Sequence, residues 1–318
     1  MIRSLRRNVP DATVWVLCLS PEAERILLET AEPGVRTIGL ADFERGDDEL
    51  AHAKADGRST VEYYFTLTPS LIRYLQDNLP DVEVVTYLDG DMWFLADPEP
   101  VYDEMSDASV LIIPHGFVPE MRHLEQFGIY NVGWLSFRND ERGRACAEWW
   151  RQRTNEWCFD RVDGGRFCEQ GYLDQFQNLF PGVHVLAHRG ANLAPWNIAA
   201  RVICRCDTVL QADNDLVLFF HFHGLSRLTD GEYLTSHGLY KAPLSPLVRE
   251  ALYYPYIAEV TAIEVELERR FGPLDRSLVR YPHLVGRTSF DRLKRMVKLS
   301  IARWKGLTIR APHPSRAG

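Results

Sequence analysis

The sequence predicts an α/β fold, a Rossmann-like, mostly parallel mixed sheet flanked by helices with a C-terminal helical extension. Three observations predict it. Apolar, β-branched runs alternate with amphipathic segments along the chain. The 318 residues are 46% hydrophobic, which is enough for one large domain or two small ones with a sizeable core. The longest apolar runs are far shorter than the ~20 residues that a membrane-spanning helix needs.

The predicted elements follow one another as strands and helices. Thr13–Leu19 is an apolar run rich in β-branched residues, as in a buried strand, and Thr66–Asn78 spaces its leucines as an amphipathic helix does. Asp42–Arg58 is polar and predicts a loop or a loosely packed helix. We expect a sheet domain over 1–245 and a helical extension over 246–318. Further strands are predicted at Val35–Leu40, Val82–Leu88, Ser109–Pro114, Tyr130–Phe137, Val183–Leu186 and Leu216–His221, and further helices at Pro21–Thr30, Asp140–Trp157, Pro255–Phe271 and Ser289–Lys305.

Charge is divided unevenly along the chain. Residues 287–318 hold nine Lys/Arg and one acid, a charge of +8, whereas residues 1–286 hold 27 basic and 43 acidic residues, a charge of −16. An acidic body argues against a nucleic-acid-binding protein, which normally shows a basic surface. Six cysteines are too few for a disulfide framework, and no secretory leader is recognisable. We therefore expect a cytoplasmic protein.

The segment YLDGDMWF, residues 87–94, predicts a metal site. It places Asp89 and Asp91 at the carboxyl end of an apolar strand, where α/β folds bind their ligands. Two carboxylates one residue apart can hold Mg²⁺ or Mn²⁺, since both ions favour oxygen ligands. Asp-Gly-Asp is also ordinary turn chemistry, so the motif alone leaves both interpretations open.

A second segment, LFFHFHGLSR at residues 218–227, predicts the rest of that site. By strand alternation His221 and His223 share one face, and one imidazole would complete the coordination sphere of the cation. An imidazole beside carboxylates suits Mn²⁺ better than Ca²⁺. The alternative is a pair of hydrogen-bonded core histidines.

Three segments between these motifs carry amide and carboxyl groups that predict sugar contacts. Amides both donate and accept hydrogen bonds, as sugar hydroxyls require, and Trp196 offers an aromatic face. The same residues fit simpler roles, because Asn131 suits a turn and Glu169 suits a helix N-terminus. The segments are Tyr130–Gly133, Phe167–Tyr172 with Asp174 close behind, and Ala194–Asn197.

Taken in order, these segments resemble the bacterial family 8-type glycosyltransferases, which are retaining nucleotide-sugar transferases with a GT-A fold. The likeness runs from about residue 3 to about residue 227. The ordered set is far more specific than any one of its members. It consists of EYYFTLTP (62–69), TYLDGDMWF (86–94), YNVGWLSFRND (130–140), EWCFDRVDGGRFCEQGYLDQF (156–176), ANLAPWN (191–197) and FHFHG (220–224).

The resemblance implies a role for each matched position. Asp89, Asp91 and His221 stand where the family binds Mn²⁺, or Mg²⁺ in its place. Glu169 and Gln170 resemble the acid–glutamine pair near the anomeric carbon, and Asp174 is a further candidate for orienting donor or acceptor. Substrate contacts are implied for Asn131, Gly133, Trp196, Asn197, Gly224 and Arg227, the last at a position where the family usually has lysine.

The sequence also departs from the family pattern. The donor-contacting arginine that other members place upstream of the aspartates has no equivalent, since Thr66 and Thr68 occupy that region. The acid that usually follows the glutamine is Gly171 here. The chain opens inside what resembles the family's first helix, so the resemblance implies that the family's first strand, which cradles uridine and ribose, is missing from this sequence.

The resemblance implies a metal-dependent, retaining glycosyltransferase. It would move a sugar from a nucleotide-diphosphate donor, a UDP-sugar, to a glycan or lipid-linked acceptor of the cell envelope. The favoured mechanism is a front-face reaction, because Gln170 is a poor nucleophile. A non-catalytic nucleotide-sugar or glycan-binding protein of the same fold is the alternative, and a metal-dependent phosphohydrolase would use the same Asp and His residues.

The basic C-terminal segment Ser289–Lys305 predicts an amphipathic helix. An apolar stripe that ends in tryptophan, with cations on the remaining surface, is typical of a helix that lies in the plane of a membrane. The interpretation predicts peripheral contact with the inner face of the membrane. A helix packed on the acidic body would show the same pattern. The apolar positions are Phe290, Leu293, Val297, Ile301 and Trp304.

Overall fold

The computed structural model of the protein describes residues 1–45, 47–229, 231–273 and 289–310, without the side chains of Thr229 and of residues 289–296. The side chains of Phe290 and Leu293, part of the predicted apolar stripe, therefore lie outside the described residues. The chain forms two compact units, one of residues 1–193 and 214–221 and the other of residues 194–213 and 222–318. The predicted domains 1–245 and 246–318 stay a prediction.

The described elements follow the predicted order closely. The helices are α1 (Ile2–Asn8), α2 (Pro21–Thr30), α3 (Leu40–Glu44), α4 (Asp48–Ala55), α5 (Thr60–Asn78), α6 (Glu99–Met105), α7 (Glu141–Glu156), α8 (Phe176–Leu179), α9 (Pro246–Val248), α10 (Tyr254–Phe271) and α11 (Ser289–Trp304). The strands are β1 (Val14–Cys18), β2 (Val35–Gly39), β3 (Val84–Leu88), β4 (Met92–Phe94), β5 (Val110–Pro114), β6 (Tyr130–Arg138), β7 (Val183–Val185), β8 (Ile203–Cys206), β9 (Val209–Ala212), β10 (Asp215–Leu216), β11 (Phe219–His221), β12 (Ser226–Thr229), β13 (Glu232–Leu234) and β14 (Thr308–Arg310).

The main sheet of the first unit has the strand order β3-β6-β5-β7. Its pairing is mixed, as predicted, since β5 and β7 are parallel whereas β6 runs antiparallel to both of its neighbours. β5 and β6 are joined by the 3-10 segment Pro119–Phe127 instead of a crossover helix, and such a connection suits an antiparallel pair. The parallel character is therefore smaller than the alternation of elements indicates. β1 and β2 form a separate parallel pair.

Both faces of the main sheet are buried. Along β5, Val110 and Ile112 pack in the cluster that also contains residues of α5 and α7, whereas Leu111 and Ile113 pack in the cluster that contains residues of α6. Successive side chains of a strand point to opposite faces, so a strand covered on both sides reads as a continuous apolar run. The predicted sheet flanked by helices is confirmed.

N-terminal caps determine where two helices begin. The Asp47 side chain accepts hydrogen bonds from the backbone of Glu49 and Leu50, which begins α4 inside Asp42–Arg58, the segment predicted as a loop or a loosely packed helix. Ser59 and Glu62 form a capping box, so α5 begins at Thr60 and not at Thr66. Both helix starts are marked in the sequence by these cap residues.

A short antiparallel pair brings distant residues to the end of β3. β4 begins directly after Asp91, and β11 pairs with β4 in a register that places His221 opposite Met92. The His221 backbone N–H also donates to the carbonyl of Leu193 at 2.9 Å. The histidine is thereby fixed beside the aspartates, about 130 positions away along the chain.

Three aromatic rings pack beneath this pair. Phe219 stacks on Trp134 with ring centroids 5.1 Å apart, and Phe94 lies 5.4 Å from Phe219 and 6.2 Å from Trp134. The three side chains belong to β11, β6 and β4, and each is buried. Their contact joins the three strands that carry the residues described below.

The second unit consists of small antiparallel sheets and helices. β8 pairs with β9, and β12, β13 and β14 form a three-stranded sheet. A π-helical turn, Arg249–Tyr253, connects α9 to α10. Within the described part of the chain, every helix is too short or too polar to cross a lipid bilayer.

Gly190→Ala is expected to destabilise the protein. The Gly190 carbonyl accepts a hydrogen bond from Leu218 N at 2.9 Å, and a Cβ at this position would overlap the backbone carbonyl of Leu216. Backbone atoms cannot rotate away, so we expect a loss of about 2–3 kcal/mol in urea unfolding. Gly90→Ala is the control, because nothing lies within 4 Å of a Cβ built there. Equal stability of the two variants would contradict this account.

Candidate functional site

Asp89, Asp91 and His221 form one cluster. His221 Nε2 lies 2.9 Å from Asp91 Oδ1 and 3.7 Å from Asp89 Oδ2, and one donor atom of each residue lies within 4.8 Å of the others. The side chain of His221 is 3% exposed, whereas those of Asp89 and Asp91 are 32% and 43% exposed. The cluster is therefore closed on the imidazole side and open to solvent on the carboxylate side.

The electrostatics of the cluster fit a cation. Burial lowers the pKa of His221, but the carboxylates of Asp91 and Asp89 outweigh it, so the pKa of the imidazole is raised. Burial and the neighbouring Asp91 raise the pKa of Asp89, against the opposing effect of His221. A bound divalent ion would compensate for the free-energy cost of burying these charges and for the repulsion between the two carboxylates. Two carboxylate oxygens and one imidazole nitrogen are a donor set that suits Mn²⁺, and Mg²⁺ also accepts the carboxylates.

Gly133 makes room for the imidazole. Its carbonyl accepts a hydrogen bond from Asp89 N at 3.0 Å, so β6 and the end of β3 remain paired here. A Cβ at Gly133 would lie 2.8 Å from both Cε1 and Nδ1 of His221 and 2.6 Å from Asn131 Oδ1. Only glycine leaves space for the ring, and this is a reason for its presence that sequence reasoning missed. The predicted substrate contact of Gly133 stays a prediction.

Tyr87 orients one of the carboxylates. Its hydroxyl donates to Asp89 Oδ1 at 2.9 Å, and this leaves Oδ2 as the oxygen nearer to His221. Partners of this kind fix the rotamer of a metal-binding side chain. The sequence could have predicted this contact, because Tyr87 and Asp89 are two residues apart and alternate side chains of a strand lie on the same face.

Asn131 and Gln170 lie together, as the resemblance implies. Gln170 Nε2 donates to the Phe127 carbonyl at 2.7 Å, and Gln170 Oε1 lies 3.4 Å from both Asn131 Nδ2 and Val132 N. Asn131 Oδ1 accepts a hydrogen bond from Gly133 N at 3.0 Å. Both amides are thus held by neighbouring backbone. The arrangement positions them beside the strand that supports the metal cluster.

His115 is a polar residue of this region that sequence reasoning missed. It follows β5 directly and is buried, with Nε2 3.4 Å from Asn131 Nδ2 and Nδ1 3.3 Å from the Ile129 carbonyl oxygen. Its ring stacks on Phe117 with centroids 4.7 Å apart. Its position at the carboxyl end of a buried strand is the sequence feature that could have identified His115 as a candidate site residue.

The two predicted acids of the Glu169–Asp174 region differ in their surroundings. Asp174 Oδ1 accepts a hydrogen bond from Ile129 N at 2.8 Å, so this carboxylate fixes the approach to β6. Glu169 is buried, and its Oε2 has no hydrogen-bond partner among the described residues. Burial, reinforced by Asp89, raises the pKa of Glu169 to about 8. A buried carboxyl of this kind is typical of functional sites.

Two of the predicted substrate contacts lie at the start of the second unit. Trp196 is buried, and its ring meets those of His223 and Tyr240 at 5.4 and 6.2 Å in edge-to-face geometry. Asn197 Oδ1 accepts a hydrogen bond from Ala194 N at 2.9 Å. Both side chains therefore have structural contacts, and their roles toward a sugar stay predictions.

The other residues of the histidine segment also lie in the second unit. β11 ends at His221, so His223 follows the strand and the prediction that the two histidines share a strand face is wrong. Gly224 has φ +69°, a conformation that favours glycine. Arg227 Nη1 donates to Glu264 at 2.6 Å. The predicted contact of Arg227 with a diphosphate stays a prediction.

Tyr87→Phe is expected to weaken metal binding about tenfold, because the carboxylate of Asp89 loses the hydroxyl that orients it. Titration calorimetry with Mn²⁺ measures the effect. Tyr102→Phe is the matched control, since its hydroxyl lies 3.0 Å from Thr86 Oγ1 on the same strand and contacts no residue of the cluster. Equal affinities in the two variants would show that the Tyr87 hydroxyl does not position the ligand.

Glu169→Gln is expected to stabilise the protein at high pH. The folded pKa is raised from 4.5 to about 8, so in this range the folded state binds more protons than the unfolded state and stability falls as pH rises. The glutamine side chain does not ionise, so the variant does not lose stability as pH rises. We expect its free energy of unfolding to exceed that of wild type by about 2–4 kcal/mol at pH 8, and the difference to disappear near pH 4.5. Chemical unfolding in EDTA at both pH values measures it. A gain independent of pH, or one shared by the exposed control Glu120→Gln, would contradict the assignment.

Two solved structures are similar to the chain at low level. One is a glycosyltransferase involved in the glycosylation of the major capsid of PBCV-1, with 12% identity, a TM-score of 0.40, and coverage of 68% of this chain and 95% of that one. The other is mouse xyloside xylosyltransferase 1 in its apo form, with 15% identity, a TM-score of 0.41, and coverage of 70% and 90%. Both TM-scores lie below 0.5, so neither likeness assigns an activity to this chain.

Similarity in sequence is closer to two proteins of Bacillus subtilis (strain 168), and no family model matches the chain. The uncharacterized protein YfnD is 28% identical over 296 residues, which are 92% of this chain and 93% of YfnD. The uncharacterized protein YfnF is 30% identical over 258 residues, which are 79% of this chain and 84% of YfnF. The chain therefore belongs to the same family as YfnF.

Proposed function

We propose that the protein is a metal-dependent, retaining glycosyltransferase of the GT-A type. It moves a sugar from a nucleotide-diphosphate donor, a UDP-sugar, to a hydroxyl of a glycan or lipid-linked acceptor. The single observation that carries the proposal is the cluster of Asp89, Asp91 and His221 at the end of β3, with its carboxylates open to solvent. This is the donor set that the sequence predicts for the transferase.

The role of the cation follows from the charge of the donor. Held by Asp89, Asp91 and His221, Mn²⁺ or Mg²⁺ would supply Lewis-acid stabilisation of the negative charge on the diphosphate leaving group. Asp89 and Asp91 provide the anionic oxygens, and His221 provides the nitrogen on the closed side. Arg227, which is always charged, is the further candidate for the diphosphate.

The amides and acids beside the cluster bind and orient the sugar in this proposal. Asn131 and Gln170 present groups that both donate and accept hydrogen bonds, as sugar hydroxyls do. Glu169, protonated below pH 8, donates a hydrogen bond to a sugar oxygen. Asp174 has an indirect role, because it accepts a hydrogen bond from Ile129 N and so positions the backbone just before β6.

The transfer itself proceeds on one face of the sugar. The bond between the anomeric carbon and the diphosphate oxygen breaks, and the acceptor oxygen forms its bond on the same face, which retains the configuration. The leaving diphosphate takes the proton of the acceptor hydroxyl. Gln170 is a poor nucleophile and its amide is engaged with backbone, which favours this route over a covalent intermediate. We place the reaction in the cytoplasm, in the assembly of cell-envelope polysaccharide.

UDP is expected to raise the melting temperature only when Mn²⁺ is present. At a concentration a hundred times the Kd, a ligand that binds only the folded state stabilises it by about 2.7 kcal/mol. Asp91→Asn and His221→Ala should abolish the metal-dependent increase. Asp103→Asn, an exposed acid on α6, is the matched control and should behave as wild type. Differential scanning fluorimetry with UDP, with and without EDTA, makes the measurement.

Equal stabilisation by UDP with Mn²⁺ and with EDTA would contradict the proposed site. Product analysis then separates the remaining functions. Sugar transfer from a UDP-sugar to an acceptor supports the transferase, whereas release of phosphate without an acceptor supports a phosphohydrolase. Metal-dependent UDP binding with no turnover of any UDP-sugar would support the non-catalytic binding protein.

A further inference from the structure

Within the second unit, one face of the last turns of α11 packs against the neighbouring sheet. Ala302 is buried, and Arg303 donates to both carboxylate oxygens of Glu232 at 2.8 and 2.6 Å. The strand β14 that follows pairs with β13, and the Leu307 carbonyl accepts hydrogen bonds from Thr235 N at 3.1 Å and Thr235 Oγ1 at 2.9 Å. The orientation of this helix end is therefore determined.

The other face of the same turns carries three large apolar side chains. Val297, Ile301 and Trp304 are 51%, 46% and 84% exposed. At about 100° per residue they fall within about 60° of one another, and their centre lies about 130° from the buried Ala302. A contiguous run of exposed apolar side chains along one helix face is typical of a site of contact with another surface.

Positive charge borders the stripe. Lys298 and Lys305 are exposed, and each follows an apolar residue of the stripe by one position, so both lie along the same edge of it. Residues 287–318 carry nine basic residues against one acid. Long lysine stems can lie beside acyl chains while their ammonium groups reach lipid phosphates.

We propose that this face, Val297, Ile301 and Trp304 with Lys298 and Lys305, docks on an anionic lipid bilayer. The helix lies in the plane of the membrane surface, with the apolar stripe in the headgroup region, where tryptophan is favoured. A lipid surface fits better than a protein partner, because lysine is depleted at protein interfaces and attracted to anionic leaflets. The inference deepens the proposed function by naming the surface at which a lipid-linked acceptor is met.

Vesicle flotation of the full chain tests the proposal, without donor or metal. Wild type should float with vesicles of phosphatidylcholine and phosphatidylglycerol and not with phosphatidylcholine alone. The double variant Ile301→Ser/Trp304→Ser should bind at least tenfold more weakly. Lys298→Gln should weaken binding about fivefold, the effect of one cation near the surface. Val265→Ser is the matched control, since it removes a valine that is 60% exposed on α10. Quenching of tryptophan by brominated lipid should fall in Trp304→Phe.

Equal flotation of wild type and the double variant would overturn the proposal, as would failure of wild type to float. Dimers of wild type in solution that dissociate in the double variant would assign the stripe to a protein interface instead. Circular dichroism confirms that each variant is folded. Because flotation needs no cation and the UDP assay needs no vesicles, failure of the membrane proposal and failure of the transferase proposal are separable.

Discussion

The register between β4 and β11 is the constraint on which the candidate site depends. It places His221 opposite Met92 and beside the carboxylates that flank Gly90. A slip of one residue would turn His221 to the other face of the pair and destroy the cluster. Such short strands provide few hydrogen bonds of their own. The packed rings of Phe94, Trp134 and Phe219 join them to β6, so aromatic packing fixes the geometry that the charged residues require.

The sequence was sufficient for those parts of the site that depend on local pattern. Asp89 and Asp91 were predicted because an apolar strand ends in acids, and His221 because an apolar strand ends in an imidazole. Their meeting was implied by the resemblance and is present in the structure. The space that Gly133 provides was not predictable, since it depends on a ring contributed by a strand far along the chain. Contacts between distant residues leave no periodic signal in either segment.

The differences in the fold have a similar origin. Alternating strands and helices predict parallel pairing, but β5 and β6 are joined by the 3-10 segment Pro119–Phe127 and not by a crossover helix, and β6 runs antiparallel on both sides. Likewise His223 follows the end of β11, because the strand stops at His221. Periodicity identifies a strand, but it does not identify the residue at which pairing ends. At an active site that residue decides which side chains can act together.

The charge of the molecule bears on the proposed cation site. Residues 1–286 carry −16, a total that includes the two carboxylates of the cluster. Such a surface repels a diphosphate, so the binding of an anionic donor requires local neutralisation before any chemistry. The raised pKa of His221 shows that the carboxylates of Asp91 and Asp89 favour a positive charge on the imidazole. A divalent ion bound at the cluster would displace a proton from the imidazole, so we expect metal affinity to increase as pH rises.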